Sequence, residues 1–416
     1  MKKRIVVLGG GTGGTLVANR LRRALDASVD IVVVDRDDRH VYQPGLLFVP
    51  FGAAAAADLV RSRSRQLRAG IEFRRAGIER VELDEDRVVL DDGDPLGYDA
   101  LIVASGASLR PDETEGLSEA LAGRGAHSFY TLEGSAALSA ALAGFDGGRL
   151  VVNVVDMPIK CPVAPIEFSF LADWYFRQRG IRKQVTIVFA TPLDGAFTKQ
   201  VCNRELSGLL EGKGIEVVTE FNTGEVDGPG RRLVSYDGRE IPFDLAVVVP
   251  LHGGASYVDR SEGLGSEFGF VPADEATLQS RARPNVFVVG DAADIPVSKA
   301  GSVAHFEGDI VARNVCSFLA GQPLAARFDG HTNCFIESGH GKALLIDYNY
   351  EIEPVPGRYP SRVGLPLLRE SRLNHMGKLA FQQLYWHGLL PGLDIPGIGT
   401  DMPHAGKHLE VLSGAG

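Results

Sequence analysis

Three observations predict an α/β fold. Ile5-Val6-Val7-Leu8 is an apolar strand that runs straight into Gly9-Gly10-Gly11-Thr12-Gly13-Gly14, and strand and helix signals alternate from there to residue 35. Far along the chain, Asn285-Val286-Phe287-Val288-Val289-Gly290-Asp291-Ala292 is a second strand, ending in Gly-Asp. Between them, strands and helices alternate again without a glycine turn. This order implies parallel sheets covered by helices. The reading is two Rossmann-like dinucleotide-binding domains, the second degenerate, and a C-terminal membrane-facing or dimerisation segment. The boundaries drawn are 1–114 and 246–325 for the two parts of the first domain, 115–245 for the second, and 326–416 for the C-terminal domain.

Each element has a local reason. In the first domain, residues 5–8 form a buried strand, 15–27 a helix, and 30–34 the next strand, which ends at Asp35. Strands follow at 71–73, 80–83, 87–90 and 98–103, with the Asp91-Asp92-Gly93-Asp94-Pro95 cluster marking a turn. In the second domain, strands are expected at 149–155, 184–190 and 214–218, with helices at 165–180 and 198–212. The run 243–250 is read as returning the chain to the first domain, ahead of a helix over 305–319. Past 325 come short strands, proline-rich turns and a helix at 372–390.

Bulk properties narrow the function. The 416 residues carry a net charge of −10, so nucleic acid is not an expected partner, because phosphate binding needs a basic surface. Four cysteines in such a length do not make a secreted disulfide framework. Met1-Lys2-Lys3-Arg4 precedes an apolar run too short for a signal peptide, and no stretch approaches the roughly 20 apolar residues of a spanning helix. The expectation is a protein that is soluble or peripheral to the cell membrane, on its cytoplasmic face. No metal site is read.

Gly9, Gly11 and Gly14 stand as Gly-x-Gly-x-x-Gly between a strand and a helix, with Asp35 about 20 residues on at the next strand's end. Gly9 permits the tight turn, Gly11 admits a pyrophosphate, Gly14 allows close packing, and Asp35 reaches a ribose. Thr12 and Arg36 join this nucleotide-binding set. Two further blocks resemble those of two-dinucleotide flavoproteins, a resemblance that implies FAD: Ala104-Ser105-Gly106 after the strand 101–103 is similar to their short Thr/Ser-Gly turn, and Gly290-Asp291 to their second flavin motif, whose Asp contacts the ribityl chain.

The strand 150–155 exits into Asp156-Met157-Pro158-Ile159-Lys160-Cys161-Pro162, with no Gly-x-Gly for a nicotinamide nucleotide. With Lys160-Cys161-Pro162-Val163-Ala164-Pro165-Ile166-Glu167, Ser298 to Ala304, Asn333-Cys334-Phe335-Ile336-Glu337 and Lys378-Leu379-Ala380-Phe381, most of the chain resembles the sulfide:quinone oxidoreductase and flavocytochrome c sulfide dehydrogenase group of the pyridine nucleotide-disulfide oxidoreductase superfamily. The resemblance implies oxidation of sulfide at Cys161 and Cys334, with electrons passing through FAD to a membrane quinone. Hydrosulfide attacks disulfides by exchange, and a reactive thiol needs a setting that favours thiolate. Cys161 just precedes a helix N-terminus, beside Lys160, and Glu167 on that helix's first turn is a candidate proton acceptor. Cys202 and Cys316 are read as core residues.

Two departures from the family stand out. A third cysteine that many members carry is missing around His127-Ser128-Phe129-Tyr130. Tyr42-Gln43-Pro44-Gly45-Leu46 lacks a cysteine to tether the flavin, so non-covalent FAD is expected.

In the helix 372–390, Leu373, Met376, Leu379, Ala380, Leu384 and Tyr385 fall at helical spacing, and Trp386 is read as a ring favouring a membrane interface. Lys378 is placed near the flavin edge, Lys299 near the ring or pyrophosphate, and Phe335 and Phe381 against the quinone. Rival readings are a type II NADH:quinone dehydrogenase, a flavocytochrome-type subunit and a non-enzymatic flavin redox sensor. The oligomeric state is left open, homo-oligomer included.

Overall fold

The computed structural model describes residues 2–123 and 125–413. Strand β1 (Lys3–Leu8) leads through the glycine turn into helix α1 (Thr12–Ala24), followed by β2 (Val29–Asp35), β3 (Ile71–Arg75) and β4 (Ala100–Val103). The chain then builds a second sheet from β5 (Ala126–His127), β6 (Gly148–Val154), β7 (Val185–Ala190), β8 (Ile215–Val218) and β9 (Leu245–Val249), with helices α2 (Ala164–Gln178) and α3 (Gln200–Gly212) between its strands. Strand β10 (Val286–Val288) returns to the first sheet, and α4 (Gly301–Leu319) packs on it. A hairpin, β11 (Thr332–Gly339) and β12 (Lys342–Tyr348), and helix α5 (Arg372–Leu384) complete the part that bears on the site.

The strand order is β10-β4-β1-β2-β3 in the first sheet and β5-β9-β6-β7-β8 in the second, and every pairing within both is parallel. Ile5, Val6, Val7 and Leu8 are all fully buried, as expected where helices and loops cover both faces of a parallel sheet. Each such side chain contributes about 1.5–3 kcal/mol on burial. Helix α1 meets α4 so closely that a Cβ on Gly308 would lie 2.4 Å from Leu16, and Arg20 pairs with Asp309 at 2.7 Å beside that contact.

Two sequence expectations shift. Helix α1 starts on the glycine loop itself, at Thr12 and not at 15, because Gly11 already adopts the extended cap conformation. The crossover expected at 245 lies later: Leu245–Val249 is an inner strand of the second sheet, between β5 and β6. Its uninterrupted apolar run suits either buried sheet, so the pattern alone does not choose between them. The two linkers between domains, 108–110 and 251–253, pair antiparallel and tie the crossings together.

Among the described residues no helix is long and apolar enough to cross a membrane.

Candidate active site

The first glycine loop has the shape of a nucleotide cradle. A Cβ on Gly9 would lie 2.5 Å from the Ala104 carbonyl oxygen, and one on Gly14 would lie 1.8 Å from that of Gly9, so both glycines are required by packing. A Cβ on Gly11 or Gly106 would meet nothing within 4 Å, so these faces are open to a ligand. No side chain caps α1 and no acidic residue lies in its first turn. Its free N–H groups therefore form an anion site suited to pyrophosphate. Asp35 accepts from Gly10 N at 2.8 Å and pairs with Arg63 at 2.6 Å, which leaves lone pairs for a ribose, and Arg36 is exposed beside it.

The second flavin block closes the other side. Gly290 takes a φ of +73°, and its N–H donates to Glu307, a fully buried acid on α4 whose Oε1 has no partner among the described residues. Burial raises the Glu307 carboxyl to about 8. It also raises that of Asp291, which Lys299 and Lys160 oppose. Lys299 Nζ donates to the Asp291 and Ala293 carbonyls at 2.8 and 2.9 Å and covers the Phe270 ring at 3.8 Å. These open glycines, uncapped helix and unpartnered carboxylate fit FAD.

Where a nicotinamide cradle would stand, β6 holds Asn153, one residue before the strand's end and locked to Thr223 by hydrogen bonds of 3.0 and 3.1 Å. The chain then runs through a cis Met157-Pro158 bond to Cys161 before α2 begins. Cys161 sits at φ +81°, a left-handed conformation that is strained for a side chain with a Cβ. Its N–H donates to Lys299 O at 2.7 Å and its carbonyl accepts from Ala164 N at 2.8 Å, which holds the thiol at the mouth of α2. Cys334 comes from β11 and packs against the cores of both domains, so it lies between them. Both are free thiols, near enough for the charge on one to oppose ionisation of the other.

The expected thiolate-favouring setting is reversed in this state. Burial raises Cys161 well above the usual thiol range and pushes Cys334 up to about 12, while Lys378 opposes the rise at both. Desolvation outweighs the helix terminus here.

Glu167, on the first turn of α2, is the hub. It is 2% exposed, pairs with Lys378 from α5 and accepts from Glu337 N at 2.6 Å, while Lys378 also donates to Phe335 O at 3.1 Å. Burial raises its carboxyl, and Lys378 acts against that rise. Lys378 is thus an ion-pair partner beside the cysteines.

The fold adds groups that the sequence did not reveal. In the stretch 127–130, which holds no cysteine, Tyr130 is buried, its hydroxyl without a partner among the described residues, with Lys160 5.8 Å from its ring and His252 edge-on at 5.3 Å. Tyr385 hydroxyl meets Thr12 Oγ1 at 2.8 Å and His40 Nε2 at 2.7 Å, and His40 Nδ1 meets Gly10 O at 3.2 Å. Burial lowers His40 to about 4, so its ring is neutral and donates one hydrogen bond while accepting another.

Tyr385 therefore fastens the C-terminal helix to the glycine loop, where an exposed apolar face had been expected. Trp386 is corrected likewise: it is 2% exposed, under the Arg61 guanidinium at 4.3 Å, because the helix widens into a π-turn at Tyr385–Leu389 that faces the core. Leu373, Met376 and Leu379 do remain on the surface, 50, 64 and 55% exposed. Phe335 and Phe381 pack on separate clusters, Phe335 near Leu345 and Tyr359, Phe381 near Tyr42 and Tyr385. Cys202 is fully buried in the core and Cys316 half-buried.

A model of the pyridine nucleotide-disulphide oxidoreductases matches residues 3–152. That match runs from β1 into β6. It is 27% identical over 404 residues to the mitochondrial sulfide:quinone oxidoreductase of Mus musculus, covering 93% of this chain and 86% of that protein. The mitochondrial sulfide:quinone oxidoreductase of Dictyostelium discoideum is 27% identical over 396 residues, covering 94 and 86%. Among solved structures, the sulfide:quinone oxidoreductase of Aquifex aeolicus shares the fold with a TM-score of 0.80 at 20% identity, over 94% of this chain and 92% of that one. The matched model and these relatives together imply a flavin cofactor.

Proposed function

We propose that this protein is an FAD-dependent sulfide:quinone oxidoreductase that oxidises sulfide to polysulfide or sulfur at Cys161 and Cys334 and delivers the electrons to a membrane quinone. The observation that carries the reading is the exit of β6: the strand that would serve a nicotinamide leads instead to Cys161, a free thiol on whose ionisation Cys334 acts, Cys334 packing against the cores of both domains. Gly9, Gly11, Thr12, Gly14, Asp35, Arg36, Ala104, Ser105, Gly106, Gly290, Asp291 and Lys299 hold FAD without a covalent bond, with Lys378 at the edge of that site. Bound FAD supplies a two-electron acceptor for sulfur and a donor for quinone.

In the oxidised enzyme Cys161 and Cys334 form a disulfide. Hydrosulfide attacks one sulfur of it: a new S–S bond forms, the bridging S–S bond breaks, and one cysteine becomes a persulfide while the other leaves as thiolate. Glu167 takes the persulfide proton, and the Lys378 ammonium steadies the negative charge left in a desolvated site. Phe335 of β11 and Phe381 of α5 contact the quinone. The exposed stripe Leu373, Met376 and Leu379 enters the membrane surface, which makes the protein a peripheral one.

Anaerobic titration with sulfide, then NADH, tests the reading through the flavin absorbance. Bleaching by sulfide, lost in Cys161→Ser and reversed by quinone, is expected. Bleaching by NADH and not by sulfide would return the chain to the NADH:quinone dehydrogenases.

A further inference from the structure

The overall reaction needs a proton from outside. Oxidising hydrosulfide to the level of elemental sulfur releases one proton and two electrons, and reducing a quinone to quinol consumes two of each. The sum is HS⁻ + quinone + H⁺ → S⁰ + quinol, so one proton enters from solution per turnover. Glu167 can supply the proton released by hydrosulfide, but its carboxylate is buried, and so is Glu337, whose backbone it touches, while its partner Lys378 has a side chain only 12% exposed.

The geometry points to His375 and Glu337 as the path for the second proton, an inference that rests on the sulfide:quinone reading above. Glu337 lies on β11 with its side chain 2% exposed. Its N–H is anchored on Glu167 Oε1 at 2.6 Å, and its charge acts on the Glu167 carboxyl. Both carboxylate oxygens of Glu337 face His375 Nδ1, at 3.0 and 2.9 Å. His375 sits on α5 one turn before Lys378, its side chain 27% exposed, beside the apolar stripe of Leu373, Met376 and Leu379. Among the described residues its Nε2 has no hydrogen-bond partner, so one ring nitrogen meets water while the other meets the buried carboxylate.

Imidazole is suited to this task because it accepts a proton on one nitrogen and releases another from the second near neutral pH. A proton taken at Nε2 leaves Nδ1 for the Glu337 carboxylate, and from there reaches the Glu167–Lys378 pair, which returns it to the quinone. The cycle closes when neutral His375 takes the next proton from water. His375 and Glu337 touch neither substrate; they reload the pair that does.

The two half-reactions separate this role from others. His375→Ala and Glu337→Gln proteins are mixed anaerobically with sulfide, and the reduced flavin is then mixed with a short-chain ubiquinone. Bleaching by sulfide is expected at the wild-type rate, whereas reoxidation by quinone falls at least about tenfold. Free imidazole restores reoxidation in His375→Ala and does nothing to wild type. In the oxidised protein without quinone, Glu337→Gln moves the ¹⁵N resonance of His375 Nδ1. Unchanged reoxidation in both variants overturns the path. So does an equal fall in both half-reactions without imidazole rescue, which marks a structural role. If sulfide fails to bleach wild-type flavin, the sulfide reading has failed, and the same reoxidation assay after dithionite reduction still decides the path.

Discussion

Replacing Lys378 with Met removes the one ammonium paired with buried Glu167 and leaves the helix backbone intact. Breaking a buried pair by deleting one partner costs about 3–5 kcal/mol when the remaining charge stays ionised. A carboxyl has an alternative, which is to bind a proton. From an ordinary value of 4.5, holding Glu167 protonated at pH 7 costs roughly 3 kcal/mol at about 1.4 kcal/mol per pH unit, and at pH 5 less than about 1 kcal/mol. The sign follows from the direction of the shift. Burial raises the folded carboxyl above its unfolded value, so stability is full below pH 4.5 and is lost as pH rises.

Urea unfolding of Lys378→Met should therefore show a deficit of about 3 kcal/mol against wild type at pH 7 that nearly closes at pH 5. The double variant Glu167→Gln/Lys378→Met should recover most of it, because the neutral amide still accepts from Glu337 N and no charge is stranded. Sulfide bleaching should slow at least about tenfold in the single variant, whose Glu167 is already protonated. A deficit independent of pH, or a double variant as unstable as the sum of its singles, would refute the argument.

Glu307→Gln should flatten the dependence of stability on pH between 4.5 and 8, where wild type loses stability because the carboxyl ionises in the unfolded chain while the buried one, raised to about 8, keeps its proton; urea midpoints across that range measure it. Tyr385→Phe keeps the ring but strands His40 Nε2 and Thr12 Oγ1, costing about 1–3 kcal/mol, so FAD dissociation measured by flavin fluorescence should be about tenfold easier or more. Changing Leu373, Met376 and Leu379 together to Gln removes about 1 kcal/mol of apolar burial apiece. It should lower binding to lipid vesicles about a hundredfold in sedimentation while sparing turnover with a soluble quinone.

The sequence by itself determined what depends on short-range chemistry. A strand, three spaced glycines and an acid at the next strand's end specify a nucleotide turn, because backbone conformation and close approach are set within that segment. The absence of those glycines after β6, and the cysteine standing there instead, were equally legible. Tertiary structure decided whatever joins distant segments or depends on burial. Tyr385 meets Thr12, and His375 meets Glu337, across elements that no local pattern aligns. Trp386 has the composition of an interface ring but turns inward, because a π-turn rotates it toward Tyr42 and His40. Leu245–Val249 reads as apolar strand in either domain, and only pairing partners assign it. The thiols show the limit most plainly. Lys160 and a helix start beside Cys161 favour thiolate on paper, yet desolvation, a property of everything packed around a group, raises both cysteines.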